Sequence, residues 1–267
     1  MRYPIAILLL LFGILGGCAR STSSGNGQNA PQPLTVYCAA GIRLPVEEAA
    51  KQYQIEFGRK VQIDYGSSGE LEGRLEIDRR SKKTRCDLYI PADRSFAKRT
   101  QEKGLTAESI ELAKFRLVLA MNAEATHELH SVDDLLNSKL SYVVCDTKAG
   151  VGKKTMTTLQ ASNKWTPVDK NKKVSFPRVP EAANAIKTSS DIAAGFIWDT
   201  TAQQFGLRSI VLDEIKDAVS SISANVVTTT QRPSAAIHFA RYLAAKDKGQ
   251  QAFPKYCLLY TSDAADE

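Results

Sequence analysis

The sequence lacks several features that common classes of protein require. It has only three histidines in 267 residues, and the two that lie close together, His127 and His130, have no evident third ligand. Zinc sites use three or four protein ligands, so we interpret this pair as part of a solvated turn and expect no protein-ligated metal. No G-x-S-x-G motif surrounds Ser67 or Ser68, so the nucleophile turn of an α/β-hydrolase is missing.

The sequence gives equally little support to nucleotide or nucleic-acid binding. The segment 150–155 resembles part of a P-loop, but Thr147 stands where the first glycine is needed and Lys154 where Ser or Thr is needed. The net charge is +6, yet basic and acidic residues are interspersed, which is typical of a solvated mixed surface. We therefore expect no ATP site and no nucleic-acid partner.

The first 33 residues predict export and a membrane anchor. The longest apolar run, Ile5–Leu15, has about eleven residues, too short to span a membrane and typical of a signal-peptide core. It leads into Leu-Gly-Gly-Cys18, which resembles a bacterial lipobox, so residues 1–17 would be a lipoprotein signal peptide and Cys18 would carry the lipid. The alternative is a simple secretory signal with an incidental cysteine. Residues 18–33 contain almost no bulky apolar residue and predict a flexible tether.

The other end of the chain contains a segment that we set aside from the fold. Residues 257–267 resemble a translated sequencing adapter, and we expect the natural chain to continue differently after Tyr256. Three cysteines then remain in the folded body, Cys38, Cys86 and Cys145. Export permits a disulfide, but an odd number fixes no pairing scheme. Buried free thiols are the expected state.

From residue 34 onward, predicted strands and helices alternate. Short apolar strands at 34–38 and 115–121 and the alternating Val61, Ile63 and Tyr65 are followed by segments with helical spacing. Such alternation predicts an α/β fold with mainly parallel sheets that are covered by helices.

Three loops between a strand and a helix consist of small residues. These loops are 39–41, 66–69 and 149–152. Free N–H groups and the positive end of a helix dipole suit an anion, and ligands of open α/β sheets bind beyond the carboxyl ends of the strands. Each loop alone is equally explained by ordinary turn and capping residues, but together they indicate an anion site.

Longer segments resemble the periplasmic molybdate-binding proteins of ABC importers. The resemblance covers nearly all of 34–256 and rests on the order of its motifs. Those motifs are TVYCAAGIRLPVEEAAKQY (35–53), DYGSSGELEGRLE (64–76), CDLYIPAD (86–93), VVCDTKAGVGKKT (143–155) and AAGFIWD (193–199).

The resemblance implies a two-domain periplasmic-binding-protein fold of type II, with a ligand cleft between two α/β lobes. Lobe 1 would comprise 34–115 plus 225–256, and lobe 2 would comprise 116–224. Each lobe would be a mainly parallel sheet flanked by helices, and closure of the cleft would trap the ligand.

The resemblance also implies a set of ligand-binding residues. In that family, Ser hydroxyls, backbone N–H groups and a Tyr hydroxyl hold a tetrahedral dianion. Gly41 and Trp198 stand where the family has a Ser and the Tyr, so a backbone N–H and an indole N–H are the donors expected there. Nearby Arg43, Lys148 and Lys153 could supply charge. The implied ligand-binding positions are Gly41, Ser67, Ser68, Val151, Gly152, Val179 and Trp198.

These inferences lead to one expected function and three alternatives. We expect a monomeric, lipid-anchored protein of the periplasm or cell envelope that captures molybdate or tungstate for an ABC permease, without catalysis and without a cofactor besides the oxyanion. One alternative is a different anion, such as sulfate, phosphate or a small carboxylate. The others are an envelope enzyme with Ser67 or Ser68 as nucleophile, and an anchored scaffold or sensory module.

Overall fold

The computed structural model describes residues 31–256. The predicted signal peptide, the lipidation site Cys18, all but the last residues of the predicted tether and the adapter-like segment 257–267 lie outside the described residues. Within the described part, none of the helices is long and apolar enough to cross a membrane.

Strands and helices alternate over most of the described chain. The strands are β1 (Leu34–Ala39), β2 (Val61–Gly66), β3 (Leu88–Ile90), β4 (Thr106–Met121), β5 (Tyr142–Cys145), β6 (Val174–Phe176), β7 (Ala194–Trp198), β8 (Arg208–Ile210) and β9 (Val219–Val227). The α-helices are α1 (Arg43–Phe57), α2 (Ser68–Arg80), α3 (Arg94–Glu102), α4 (Val132–Asn137), α5 (Gly150–Ala161), α6 (Trp165–Asn171), α7 (Val179–Thr188), α8 (Asp199–Gln204) and α9 (Pro233–Ala244). Short 3₁₀ turns lie at Ala40–Ile42, Asp213–Ile215, Gly249–Gln251 and Pro254–Tyr256.

The helix starts show why these segments fold locally as they do. Asp93 caps α3 by accepting a hydrogen bond of 2.9 Å from the Ser95 N–H, and aspartate is one of the residues preferred at this position. Ser131 and Asp134 form a capping box at the start of α4, in which each side chain accepts from the other residue's N–H. Gly58 ends α1 in the left-handed conformation, with φ of 64°, which a glycine adopts at little cost.

The strands form one central sheet in the order β2-β1-β3-β9-β4-β7-β5-β6, with β8 beside β4. The expected α/β class is confirmed, because helices flank this sheet. The sheet is mixed, however, rather than mainly parallel. β1, β2 and β3 run parallel to one another, as do β5, β6 and β7. Every pairing that involves β4 or β9 is antiparallel.

The long strand β4 joins the two parallel groups. Its first part, from Thr106 to Arg116, pairs with β9, and its last part, from Leu117 to Met121, pairs with β7. β9 in turn pairs with β3. The division into two lobes with the boundaries given above stays a prediction.

The core continues through both groups of strands. Phe115 of β4 and Trp198 of β7 stack at its centre, with ring centroids 4.9 Å apart and ring planes 9° apart. The thiols of Cys38, Cys86 and Cys145 are buried and not engaged in disulfides, and burial raises the pKa of each thiol. They therefore stay protonated and unreactive near neutral pH.

Candidate functional site

In each of the two groups of three parallel strands, the carboxyl end of every strand leads toward a helix start, which places all three small-residue loops at comparable positions. β1 leads into α1 through a short 3₁₀ turn, β2 leads into α2 and β3 into α3, and β5, β6 and β7 lead into α5, α7 and α8. Strand ends of this kind are where open α/β sheets hold ligands.

Ser68 is buried and held in place from two sides. Its Oγ accepts a hydrogen bond of 3.1 Å from the Ala92 N–H, and its carbonyl oxygen accepts one of 2.7 Å from the Tyr89 hydroxyl. The residue is only 1% exposed. Because its Oγ acts as acceptor toward Ala92, the hydroxyl proton remains available to donate to another group.

The neighbouring Ser67 has a different local role. It is the N-cap of α2, where its Oγ accepts from the Glu70 N–H at 3.3 Å and Glu70 reaches back toward the Ser67 N–H at 3.4 Å. This is a capping box, which satisfies two N–H groups at the helix start. Ser67 therefore organises the loop that presents Ser68.

The second and third loops contact each other directly. The Gly69 N–H donates to the Lys148 carbonyl oxygen at 2.8 Å. A Cβ atom on Gly69 would lie 3.0 Å from that oxygen, and one on Gly150 would lie 3.0 Å from the carbonyl carbon of Ala92. The glycines thus allow the backbones of the loops after β2, β3 and β5 to approach closely.

The start of α5 presents free N–H groups beside this contact. Its N-cap, Ala149, has no side-chain hydrogen bond to the helix, and the first bond along the helix is from the Lys153 N–H to the Ala149 carbonyl. The N–H groups of Gly150, Val151 and Gly152 therefore have no acceptor within the helix. A Cβ on Gly152 would lie only 2.1 Å from the Asp146 carbonyl oxygen, so close packing requires glycine there.

The first loop faces a different group of candidate residues. A Cβ on Gly41 would lie 3.5 Å from Cδ1 of Trp198, 3.9 Å from Oγ1 of Thr201 and 3.9 Å from Cβ of Val179. The structure therefore brings together the loop after β1, the start of α7 and the start of α8. Val179 is the first residue of α7, so its N–H has no acceptor within that helix.

An ion pair links the second loop to the start of α7. Arg178, the N-cap of α7, lies 3.1 Å from the Glu70 carboxylate through its Nη2. Burial alone would raise the pKa of Glu70, but hydrogen bonds from Arg178, Arg74 and the Ser67 N–H hold that pKa below its usual value. The contacts thus connect Ser68 and its loop with the Gly41, Val179 and Trp198 group.

Several buried donors in this region have no hydrogen-bond partner among the described residues. They include the indole Nε1 of Trp198, the hydroxyls of Thr200 and Thr201, and Nε of Arg178. Trp198 is fully buried and Thr201 is 1% exposed. Buried polar groups are rarely left unpaired, so the two of these donors that lie beside Gly41, on Trp198 and Thr201, mark that place as a candidate ligand site.

Thr201 was not predicted from the sequence. The signal that could have found it is its position three residues after Trp198, on the first turns of the helix that follows β7. Trp198 is the N-cap residue of α8 and Thr201 lies in the first turn of that helix, and both side chains lie beside Gly41.

Two charged side chains near the site, those of Arg43 and Asp199, have partners within the protein. Arg43 pairs with Glu47 at 2.9 Å and is 59% exposed, so its charge is shared with a carboxylate. Asp199, next to Trp198, accepts N–H bonds from Arg116 and Thr200, and burial raises its pKa. Among the described residues, no group of three His, Cys, Asp or Glu side chains could hold a metal ion.

Comparison with known proteins agrees with this architecture. A family model described as "Bacterial extracellular solute-binding protein" matches residues 34–257. A "Putative binding protein" of Haemophilus influenzae is 26% identical over 116 residues, which is 43% of this chain. The match spans 45% of that relative's length.

Solved structures with the same fold bind chemically different solutes. The "substrate binding domain of putative molybdenum ABC transporter" from Clostridium difficile is 22% identical, with a TM-score of 0.62 over 86% of this chain and 100% of that one. AfuA of Actinobacillus pleuropneumoniae, with fructose-6-phosphate bound, is 15% identical, with a TM-score of 0.74 over 88% and 87%. Iron-bound HitA of Pseudomonas aeruginosa is 18% identical, with a TM-score of 0.67 over 83% of each chain. At these identities the likeness shows the fold alone.

Proposed function

Because the chain belongs to the bacterial extracellular solute-binding proteins, we propose that it captures a tetrahedral oxyanion and delivers it to an ABC permease. Molybdate or tungstate is the proposed ligand, and a lipid on Cys18 would hold the protein at the membrane. The ligand would lie among Gly41, Ser68, Val151, Val179 and Trp198. Ser67 and Gly152 would support the loops that form this site.

The observation that carries the proposal is the unpartnered indole N–H of Trp198. It is buried beside Gly41 and the start of α7, in a core where a buried donor without an acceptor costs about 1–3 kcal/mol. An oxyanion oxygen supplies the acceptor that this group needs. The N–H groups at the starts of α5 and α7 also have no acceptor within their helices, so an oxyanion oxygen would serve as their acceptor as well.

The donor set favours an anion over a cation. Metal cations require oxygen, nitrogen or sulfur lone pairs, whereas the groups gathered here are N–H and O–H donors. Hydrogen bonds from neutral donors to a charged acceptor contribute about 1.5–3 kcal/mol each, so several of them support tight binding without a dedicated cation. Helix starts add to this through their positive ends.

A serine-dependent enzyme finds less support in the contacts of the two candidate nucleophiles. Ser67 Oγ is engaged in the α2 cap, and Ser68 Oγ accepts from a backbone N–H. A nucleophilic serine needs a base within hydrogen-bond reach. His238, a candidate base, instead lies 2.8 Å from the Tyr53 hydroxyl through Nδ1.

The proposal is tested by thermal unfolding and calorimetric titration of the purified protein with molybdate, tungstate, sulfate, phosphate and fructose-6-phosphate. A ligand at 100 times its Kd should stabilise the protein by about 2.7 kcal/mol. We expect molybdate and tungstate to raise the Tm and to bind with one-to-one stoichiometry. Preference for sulfate, phosphate or the sugar phosphate would reassign the ligand, and the absence of binding by every oxyanion would refute the proposal.

A further inference from the structure

Resting on the proposed function, we propose that the hydroxyl of Thr201 is a ligand-binding group that determines affinity for the oxyanion, together with the indole N–H of Trp198. Thr201 lies on α8, outside the three loops that the sequence singles out. Its hydroxyl would donate a hydrogen bond to the oxyanion beside Gly41, a residue of the first loop that has no side chain to do so.

The first step of the argument is burial without a partner. Thr201 is 1% exposed, and its Oγ1 makes no hydrogen bond among residues 31–256. Threonine hydroxyls inside helices commonly donate to the carbonyl one turn earlier; within this chain Thr155 does so to Val151 at 2.8 Å. The Thr201 hydroxyl does not, so its proton is free for another acceptor.

The second step is its location. Oγ1 of Thr201 lies 3.9 Å from the point where a Cβ would stand on Gly41, and Cδ1 of Trp198, bonded to the unpartnered Nε1, lies 3.5 Å from that same point. Cβ of Val179 lies 3.9 Å away, and the Val179 N–H has no acceptor within its helix. The Thr201 hydroxyl and two residues that carry further donors, Trp198 and Val179, therefore lie beside the position where Gly41 carries no side chain.

The third step is chemical. An indole N–H can only donate, whereas a hydroxyl can donate once and accept twice. A fully ionised oxyanion offers only acceptors, so it satisfies all three groups at once. A Cβ at position 41 would meet its neighbours at ordinary contact distances, 3.9 Å from Oγ1 of Thr201, so a serine there would bring a second hydroxyl close to that of Thr201.

The experiment uses molybdate and tungstate as probes in calorimetric titrations of four variants. Thr201→Val keeps the size of the side chain and removes the hydroxyl, and Thr201→Ser keeps the hydroxyl. Thr200→Val is the matched control. The Thr200 hydroxyl lies on the same helix, is equally buried and also has no hydrogen-bond partner among the described residues, but no atom of Thr200 is among the three nearest to the Cβ position of Gly41. The fourth variant combines Gly41→Ser with Thr201→Val.

We expect Thr201→Val to weaken binding by about tenfold or more, as the loss of a hydrogen bond to a charged acceptor does. Thr201→Ser and Thr200→Val should stay within about threefold of the original protein, and Gly41→Ser should restore most of the affinity lost in Thr201→Val. Unfolding curves without ligand show whether each variant is folded. If Thr201→Val folds and binds as the original protein does, or if Thr200→Val is equally impaired, the role of Thr201 is wrong. If the original protein binds no oxyanion, the proposed function itself fails.

Discussion

The guanidinium of Arg178 lies 3.1 Å from the carboxylate of Glu70, although 108 positions separate the two residues in the chain. Glu70 belongs to the first turn of α2, next to Ser68, and Arg178 precedes Val179 at the start of α7. The pair therefore connects the strand ends on the two sides of β4 and helps to keep the candidate site assembled.

Neutralising this ion pair should have a small effect on stability. The side chains are 41% and 35% exposed, and solvent-exposed pairs of this kind contribute about 0.2–1 kcal/mol. A double-mutant cycle with Glu70→Gln and Arg178→Gln should give a coupling energy in that range, lower at 1 M salt than at 0.1 M. Glutamine at position 70 preserves the capping box, so the cycle measures the effect of removing the two charges without disturbing the helix cap. A coupling above about 2 kcal/mol would show that the pair is a principal stabilising contact.

The two adjacent serines should respond differently to substitution. Ser68→Ala removes a hydroxyl directed to the proposed ligand and should weaken molybdate binding by about tenfold or more. Ser67→Ala removes an N-cap and should lower the free energy of unfolding by about 1 kcal/mol, with little change in affinity. Calorimetry and urea unfolding on both variants separate the two effects. Unchanged affinity in Ser68→Ala would remove this residue from the site.

Glycine is needed at position 152 for packing, whatever the ligand. A Cβ there would lie 2.1 Å from the Asp146 carbonyl oxygen and 2.4 Å from that of Cys145, both rigid backbone atoms. Gly152→Ala should therefore destabilise the protein by about 1–3 kcal/mol or more. Gly73→Ala is the control, because nothing lies within 4 Å of a Cβ at that position. Since alanine favours a helix, Gly73→Ala should stabilise by about 0.5–1 kcal/mol, and equal effects of the two changes would contradict the packing account.

A buried carboxylate near the second loop should make stability depend on pH in the acid range. Burial alone would raise the pKa of Glu72, but hydrogen bonds from Arg99 and Lys103 hold it below the ordinary 4.5. A carboxyl whose pKa is lower in the folded state stabilises that state above the unfolded pKa, and loses this contribution as the pH falls through the folded value. The stability difference between the original protein and Glu72→Gln should therefore be largest near pH 7 and should shrink as the pH falls below about 4.5. Urea unfolding of both proteins from pH 7 to pH 3 measures this difference in the free energy of unfolding. A difference that does not change with pH would be incompatible with the contacts of Glu72.

Much of the local structure could be predicted because it depends on neighbouring residues. The Asp93 cap and the Ser131 capping box follow from side chains that bond N–H groups two or three positions away. The first part of β4 was missed, because residues 106–114 mix exposed charges such as Glu108 and Glu111 with few apolar residues. Antiparallel pairing with β9 stabilises this segment as a strand, and pairing partners far apart in sequence leave no local signal.

The candidate site shows the same limit. The small-residue loops were recognisable because strand ends and helix starts follow from the alternating pattern. Thr201 could not be recognised from that pattern, because its importance depends on a buried hydroxyl that lies beside Gly41 without a hydrogen-bond partner among the described residues. That is a property of how α8 packs against the loop after β1, and the sequence shows only that Thr201 lies three residues after Trp198.

The chain has two tryptophans, Trp165 and Trp198, so the indole N–H signals in a ¹⁵N-resolved NMR titration with molybdate test the oxyanion site most directly. Trp198 Nε1 is the unpartnered donor beside Gly41, whereas Trp165 begins α6 and serves as an internal control. We predict that the Trp198 signal, assigned with Trp198→Phe, shifts in proportion to bound molybdate, together with the amide signals of Val151 and Val179, while the Trp165 signal stays in place. A titration that saturates without moving the Trp198 signal, or that moves no signal at all, would contradict the account.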